Sequence, residues 1–238
     1  MPEITPSLIN DLHGRTGQPV LECKKALVEA DGHLGKAIDW FRQRGVFPVL
    51  RTMAEGRVAV MNCDDGRCGA LVEINCKTDA AARSGPVAKL AATAARLLLR
   101  HPDADITQAA NTNLNIDEIA QQTGESVRIG RSAFLRNKNG KVGTYNDLDG
   151  RIGVLVSITG TISEEMLKDL CLHVARHDPP PAALARESLP EDIATSADAA
   201  ERALMEQKFI KDPTRTIAQL IQDCNCKLVE FVRVEVGT

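Results

Sequence analysis

Apolar residues along the first 45 positions recur at helical spacing. Leu8, Ile9 and Leu12 form one stripe, with Thr5 placed to cap it and Pro6 at the first helical position, where a missing N–H costs nothing. Gly17 is placed to end that helix, and Pro19 opens a second one carrying Val20, Leu21, Cys23, Ala26, Leu27 and Ala30. After an Asp31-Gly32 turn, Leu34, Ala37, Ile38 and Phe41 stand at i, i+3, i+4 and i+7, the mark of one buried face, and Gly45 follows. The pattern predicts three short helices in a bundle over 1–45 and a linker over 46–56.

From residue 57 the period changes. Val58–Met61 and Gly69–Ile74 are β-rich runs flanking Asp64-Asp65-Gly66, which predicts a hairpin. Val87–Leu99 reads as a buried helix with Pro86 near its start, Asp117–Gln122 as a short helix and Ser126–Arg136 as a strand. The chain then repeats itself. Val58 to Ile74 aligns with Val142 to Ile158, matching Asn62 with Asn146, Asp65 with Asp149, Gly66 with Gly150, Arg67 with Arg151, Gly69 with Gly153, Leu71 with Leu155, Val72 with Val156 and Ile74 with Ile158. A helix follows each copy, the second being Glu164–Arg176, which Asp178-Pro179-Pro180-Pro181 stops. Lys227–Val236 is the last strand, expected to pack with the second repeat. The predicted class is α+β: an N-terminal three-helix UBA-like bundle, then two related α+β core subdomains at 57–136 and 137–238. A short helical excursion is expected at about 185–207.

Composition narrows the chemistry. Aromatic residues are only 3% of the 238, so the core is built mainly from Ala, Val, Leu and Ile, and few rings are left for stacking on bases. A net charge of −3 does not suit a nucleic-acid coat protein. No apolar run approaches the ~18 residues of a membrane span, and the first residues show no secretory signal, so a cytoplasmic protein is expected. The seven cysteines (23, 63, 68, 76, 171, 224, 226) are odd in number and irregularly spaced. Cys63 and Cys68 can face each other across the hairpin, but the five histidines lie in no ligand-like spacing near them, so no metal site is expected and the cysteines read as reduced, small apolar residues. No nucleophile–base pair or phosphate loop suggests an enzyme.

Several motifs in chain order then carry a resemblance. They are Arg15-Thr16-Gly17, Cys23-Lys24-Lys25-Ala26-Leu27, Val72-Glu73-Ile74-Asn75-Cys76-Lys77-Thr78-Asp79, Gly150-Arg151-Ile152-Gly153-Val154-Leu155-Val156, Leu172-His173-Val174-Ala175, the stretch Glu206 to Ile217, and Phe231 to Gly237. Each is modest alone; their collinear order resembles the translation elongation factor Ts family. That resemblance implies a guanine-nucleotide exchange factor without catalytic chemistry or cofactor of its own, promoting GDP release from the GTPase elongation factor Tu. It implies Val20, Leu21 and Lys24 as contacts to the GTPase domain, Asp79 and Ala80 as the start of a wedge, and His173 as a contact to another of its domains. Without the resemblance, Val20 and Leu21 read equally well as helix core, Lys24 as a solvated charge, Asp79 as a cap and His173 as a packed histidine.

The chain departs from the family pattern in three places. The wedge reads Thr78-Asp79-Ala80-Ala81 where the family has Thr-Asp-Phe-Val, so the ring is missing. The long helical hairpin is cut to about 185–207, and the small C-terminal module is not found. The first departure raises an alternative, a paralogue that docks on elongation factor Tu without efficient exchange.

Overall fold

The computed structural model describes residues 4–5, 8–9, 12, 16, 18, 20–43, 53–106, 114–189, 191–195 and 198–238. Pro6, Gly17, Pro19 and Gly45, expected to open or end helices, lie outside the described residues, as does most of the expected linker. Leu8, Ile9, Leu12 and Thr16 are helical, and the Thr5 hydroxyl accepts from Leu8 N at 3.3 Å, as a cap should. Helix α1 spans Val20–Glu29 and α2 spans Leu34–Gln43. Their apolar stripes meet Leu12 in one small core of Cys23, Ala26, Leu27, Ala30, Ala37 and Phe41. Asp31 and Gly32, both at positive φ, make the turn between them.

Two three-stranded antiparallel sheets form the body. β1 (Glu55–Asn62), β2 (Cys68–Cys76) and β3 (Arg128–Arg136) lie in the order β1-β2-β3; β4 (Gly140–Asn146), β5 (Ile152–Thr159) and β8 (Lys227–Glu235) lie in the order β4-β5-β8. The repeat seen in the sequence is reproduced in register. Asn62 pairs with Gly69 and Met61 with Ala70 in the first sheet; Asn146 pairs with Gly153 and Tyr145 with Val154 in the second. Both turns use a glycine at positive φ, Gly66 and Gly150, where an L side chain is strained. The central strands β2 and β5 each carry a register shift toward the last strand, at Val72/Ile74 and at Ser157/Ile158.

Each sheet is covered on its outer face by one helix. After β2 comes a single turn, α3 (Asp79–Ala82), then α4 (Gly85–Arg100), capped by Ser84. Its apolar stripe of Val87, Leu90, Ala91, Ala94, Ala95 and Leu98 packs on Ala70, Val72 and Ile74. After β5, Ser163 caps α6 (Glu164–Arg176), whose Leu167, Leu170, Cys171 and Val174 pack on Val154, Val156 and Ile158. The inner faces meet through Val58, Leu71, Leu135, Val142, Leu155 and Val234. Since β2 and β5 are covered on both sides, they read as continuous apolar runs.

The two halves hold each other by reciprocal hydrogen bonds. Val58 N donates to Gly150 O at 2.6 Å, and its counterpart Val142 N donates to Gly66 O at 2.8 Å. Within each sheet the last strand continues by one more rung, Asn137 N donating to Arg67 O at 2.8 Å and Val236 N to Arg151 O at 2.9 Å. The same exchange appears in the packing: a Cβ on Gly69 would meet Leu155 and Val142, and one on Gly153 would meet Val58 and Leu71. The arrangement is an internal two-fold.

Between α4 and β3 lies the helix α5 (Ile116–Thr123). The stretch at 185–207 holds one-turn pieces, including α7 (Glu191–Ala194) and α8 (Ala199–Arg202), in place of one short helix. The hairpin β6 (Lys208–Phe209) and β7 (Asp212–Thr216) and the helix α9 (Ile217–Asp223), with a Thr216–Gln219 capping box, are additions to the sequence reading. Cys63 and Cys68 face each other as expected, but they are joined as a disulfide, Cα atoms 5.4 Å apart, in place of the reduced thiols anticipated; the other five cysteines are free. No helix among the described residues is long and apolar enough to cross a membrane.

Candidate partner-binding surfaces

On α1 the helical period separates two faces. Cys23, Ala26 and Leu27 turn into the core, while Val20 and Leu21 are 52% and 66% exposed and Val28 is 51% exposed. Lys24 lies exposed on the same side as Val20 and Val28, one and two turns along. Val20 and Leu21 are therefore not core, and an apolar strip with one cation faces solvent. Lys25 is engaged by Glu22 at 2.7 Å.

The second surface is built on α3. Thr78 caps it, its hydroxyl accepting from Ala81 N at 3.3 Å. Glu125, from beyond α5, clasps the loop: one carboxylate oxygen accepts from Lys77 N at 2.6 Å and Thr78 N at 3.0 Å, the other from the Thr78 hydroxyl at 2.6 Å. The Thr78 hydroxyl and these backbone donors hold the Glu125 carboxyl below its usual range. Within α3, Ala81 and Ala82 are buried under the sheet edge, and Asp79 and Ala80 are exposed. Asp79 pairs with Arg83 at 2.8 Å, and Arg83 reaches Asp149 on the β4–β5 turn at 3.5 Å. Asp79 chiefly, with Asp149 beside it, raises the Arg83 guanidinium above its already high value.

That last contact places Leu148, the residue before Asp149 and fully exposed, at the tip of the neighbouring hairpin. The first half has Asp64 at the matching position, so the repeat alignment already marks Leu148 as an apolar residue in a polar turn. Glu125 carries no comparable signal, because its partners lie 47 and 48 residues away in sequence.

His173 is placed elsewhere. It is wholly buried on α6, with Nε2 3.0 Å from Gln207 Oε1 and Nδ1 accepting from Ile210 N at 3.2 Å. Burial, against a smaller opposing effect from Gln207, lowers its pKa to about 4. The ring stays neutral at physiological pH and holds the β6–β7 hairpin, whose Ile210 is 41% exposed. Val20, Leu21 and Lys24 thus share one face and Asp79 and Ala80 another, while His173 presents no surface.

Among the described residues, the one grouping of His, Cys, Asp and Glu close enough to hold a metal is Cys63, Asp65 and Cys68. Two of these three are joined as the disulfide, and even with both thiols reduced the group falls one donor short of a closed structural zinc site. An open cleft of about 720 Å³ beside β3, lined by Leu98, Arg100, Asp103, Ser132, Phe134 and Arg136, contains none of the expected site residues.

The comparison with known proteins meets this geometry. The family model described as Elongation factor TS matches residues 77–200 and 196–238. Elongation factor Ts of Alkalilimnicola ehrlichii is 34% identical over 272 aligned positions, covering 98% of this chain and 92% of that protein. The chain belongs to the elongation factor Ts family. Elongation factor Ts of Photorhabdus laumondii is 33% identical, covering 100% of this chain and 93% of its own, and that of Methylococcus capsulatus is 30% identical with 98% and 92% covered. The matched stretch 77–200 begins at Lys77, one residue before the α3 cap, so in this elongation factor Ts family member α3, Ala80 and Glu125 all fall inside the matched residues.

Proposed function

We propose that this chain accelerates GDP release from elongation factor Tu during protein synthesis. The observation that carries this is the match to elongation factor Ts relatives over nearly the whole chain, with the family model covering residues 77–238. The N-terminal helices, read as a UBA-like bundle over 1–45, dock on the GTPase domain through Val20, Leu21 and Lys24; their exposure supports this. The subdomain at 57–136 offers Asp79 and Ala80 from α3, and the subdomain at 137–238 adds a contact in which His173 acts by fixing the β6–β7 hairpin. The chain contributes no catalytic chemistry of its own.

The mechanism is linkage. A factor that lowers GDP affinity must itself be bound less tightly by the same factor when GDP is present, so the nucleotide-free complex is the tight one and incoming nucleotide expels the factor. Here α3 is held rigidly by Thr78, Glu125 and the Arg83 pairs, so binding energy is not spent on ordering it. With alanine at position 80, the work falls to backbone, Asp79 and the neighbouring tip. A buried aromatic anchor is typically worth ~2 kcal/mol or more at an interface, so restoring it is the sharp test.

The experiment is release of fluorescent GDP from elongation factor Tu with and without this protein. Acceleration that saturates with protein is expected. Tight association without acceleration would mean docking alone and would overturn the exchange reading. Ala80→Phe is expected to raise the rate further, and an unchanged rate would remove position 80 from the mechanism.

A further inference from the structure

The two hairpin turns of the internal repeat are built on the same hydrogen bonds but with different side chains. In the second, Asp147 N donates to Ile152 O at 3.1 Å and the Asp147 carboxylate accepts from Ile152 N at 2.9 Å. In the first, Cys63 N donates to Cys68 O at 3.0 Å, and Cys63 Sγ takes the carboxylate's place, 2.8 Å from Cys68 N. The second turn closes with no cysteine at all, so the pair at 63 and 68 is not there to make the turn. It adds a second sulfur where the other repeat has an isoleucine.

The placement suits reversible bonding. The Cα atoms are 5.4 Å apart, inside the usual disulfide range of about 4.4–6.8 Å. Cys63 is partly exposed, while Cys68 is only 8% exposed, so one sulfur can meet a reagent and the other can only meet its neighbour. The turn also lies on the seam between the halves: Gly66 O accepts from Val142 N at 2.8 Å.

We infer that Cys63 and Cys68 form a redox-responsive thiol–disulfide site whose state stiffens or relaxes the seam between the two halves. The Cys63 thiolate attacks a small-molecule disulfide, forming a mixed disulfide and releasing one thiol. The Cys68 thiolate then attacks the Cys63 sulfur, forming the protein disulfide and releasing the second thiol. Two protein thiols are oxidised and one external disulfide is reduced to two thiols; reduction is the reverse. The site is independent of the partner assignment above, since no residue in it belongs to those surfaces.

The test equilibrates the full chain with reduced and oxidised glutathione, counts thiols after denaturation, and maps the pairing by mass spectrometry. Thiols should fall from seven to the five at positions 23, 76, 171, 224 and 226. The melting temperature should rise by about 3 °C or more on oxidation. The double variant Cys63→Asp with Cys68→Ile copies the second turn, so it should fold as the parent does and melt at one temperature in both buffers. Pairing confined to Cys224–Cys226, a persistent glutathione adduct on Cys63 alone, or a redox response retained in the double variant would overturn the proposal. So would uptake of one Zn²⁺ by the reduced chain that blocks oxidation, which would make Cys63, Asp65 and Cys68 a metal site.

Discussion

The connection from β2 to α4 and the connection from β5 to α6 start from equivalent strand ends and finish at equivalent serine caps, yet they do different things. The second runs from Thr159 through Gly160 to Ser163 directly. The first is longer and makes an extra helical turn, α3, before Ser84. Thr78, Asp79 and Ala80 sit on that extra turn. Where the halves agree they build a scaffold with a shared seam; where they differ they expose chemistry. The same holds inside the body. At the matched buried position of the central strand, the first half has Glu73 and the second Ser157, each about 1% exposed. Glu73 is held by Arg131 Nε at 2.8 Å and by Arg131 Nη2 at 3.0 Å, while Ser157 meets Asn137 Nδ2 at 3.1 Å. One half stores a charge pair where the other needs a single neutral hydrogen bond.

The comparison is broken most strongly at that position. Glu73→Ala strands a largely buried guanidinium and should cost about 3–5 kcal/mol by chemical denaturation, whereas Ser157→Ala should cost about 1 kcal/mol. Equal costs would mean that the two positions are not energetically distinct. Next comes a titration confined to the second half. His173 in the folded chain has its pKa lowered from 6.5 to about 4, so the unfolded chain takes up its proton first. Its contribution is intact above pH 6.5, is lost as pH falls toward 4 and is flat below, amounting to about 3 kcal/mol. The stability difference between the parent and His173→Gln, measured from pH 8 to 3.5, should show that limb. A third, smaller effect sits on the seam. A Cβ at Gly153 would come within 2.4 Å of Val58 Cγ1, whereas one at Gly69 finds its nearest neighbours at 3.0 Å. Gly153→Ala should therefore cost about 1–3 kcal/mol, and more than Gly69→Ala. The smallest stability effect is expected at the exposed Leu148, where Leu148→Ser should stay within about 0.5 kcal/mol; a selective loss of association with elongation factor Tu would place the tip beside α3 at the interface.

What the sequence revealed followed the strength of its local signals. The hairpins, α4, α6 and the repeat were legible, because apolar runs and helical stripes are dictated by burial on sheets covered on both sides. The glycine turns were legible because Gly66 and Gly150 need positive φ. The β6–β7 hairpin was not, since two residues on one strand and five on the other carry no period. Nor was the Glu125 clasp, an interaction between residues far apart in sequence. Of the candidate site, motif matching drew attention to Val20, Leu21, Asp79 and Ala80, all of which prove to be exposed. It could not tell that His173 is enclosed, because a histidine on an amphipathic helix has the same pattern whether it faces the sheet or the solvent.

The reciprocal bonds across the seam have a consequence for how the chain assembles. Only Asn137–Asn139 separate β3 from β4, so each half meets its twin at an effective concentration of millimolar or above. Under such tethering the seam needs no affinity that would survive dilution. A cut at those three residues would turn a first-order folding step into a second-order encounter, with stability that falls as the sample is diluted.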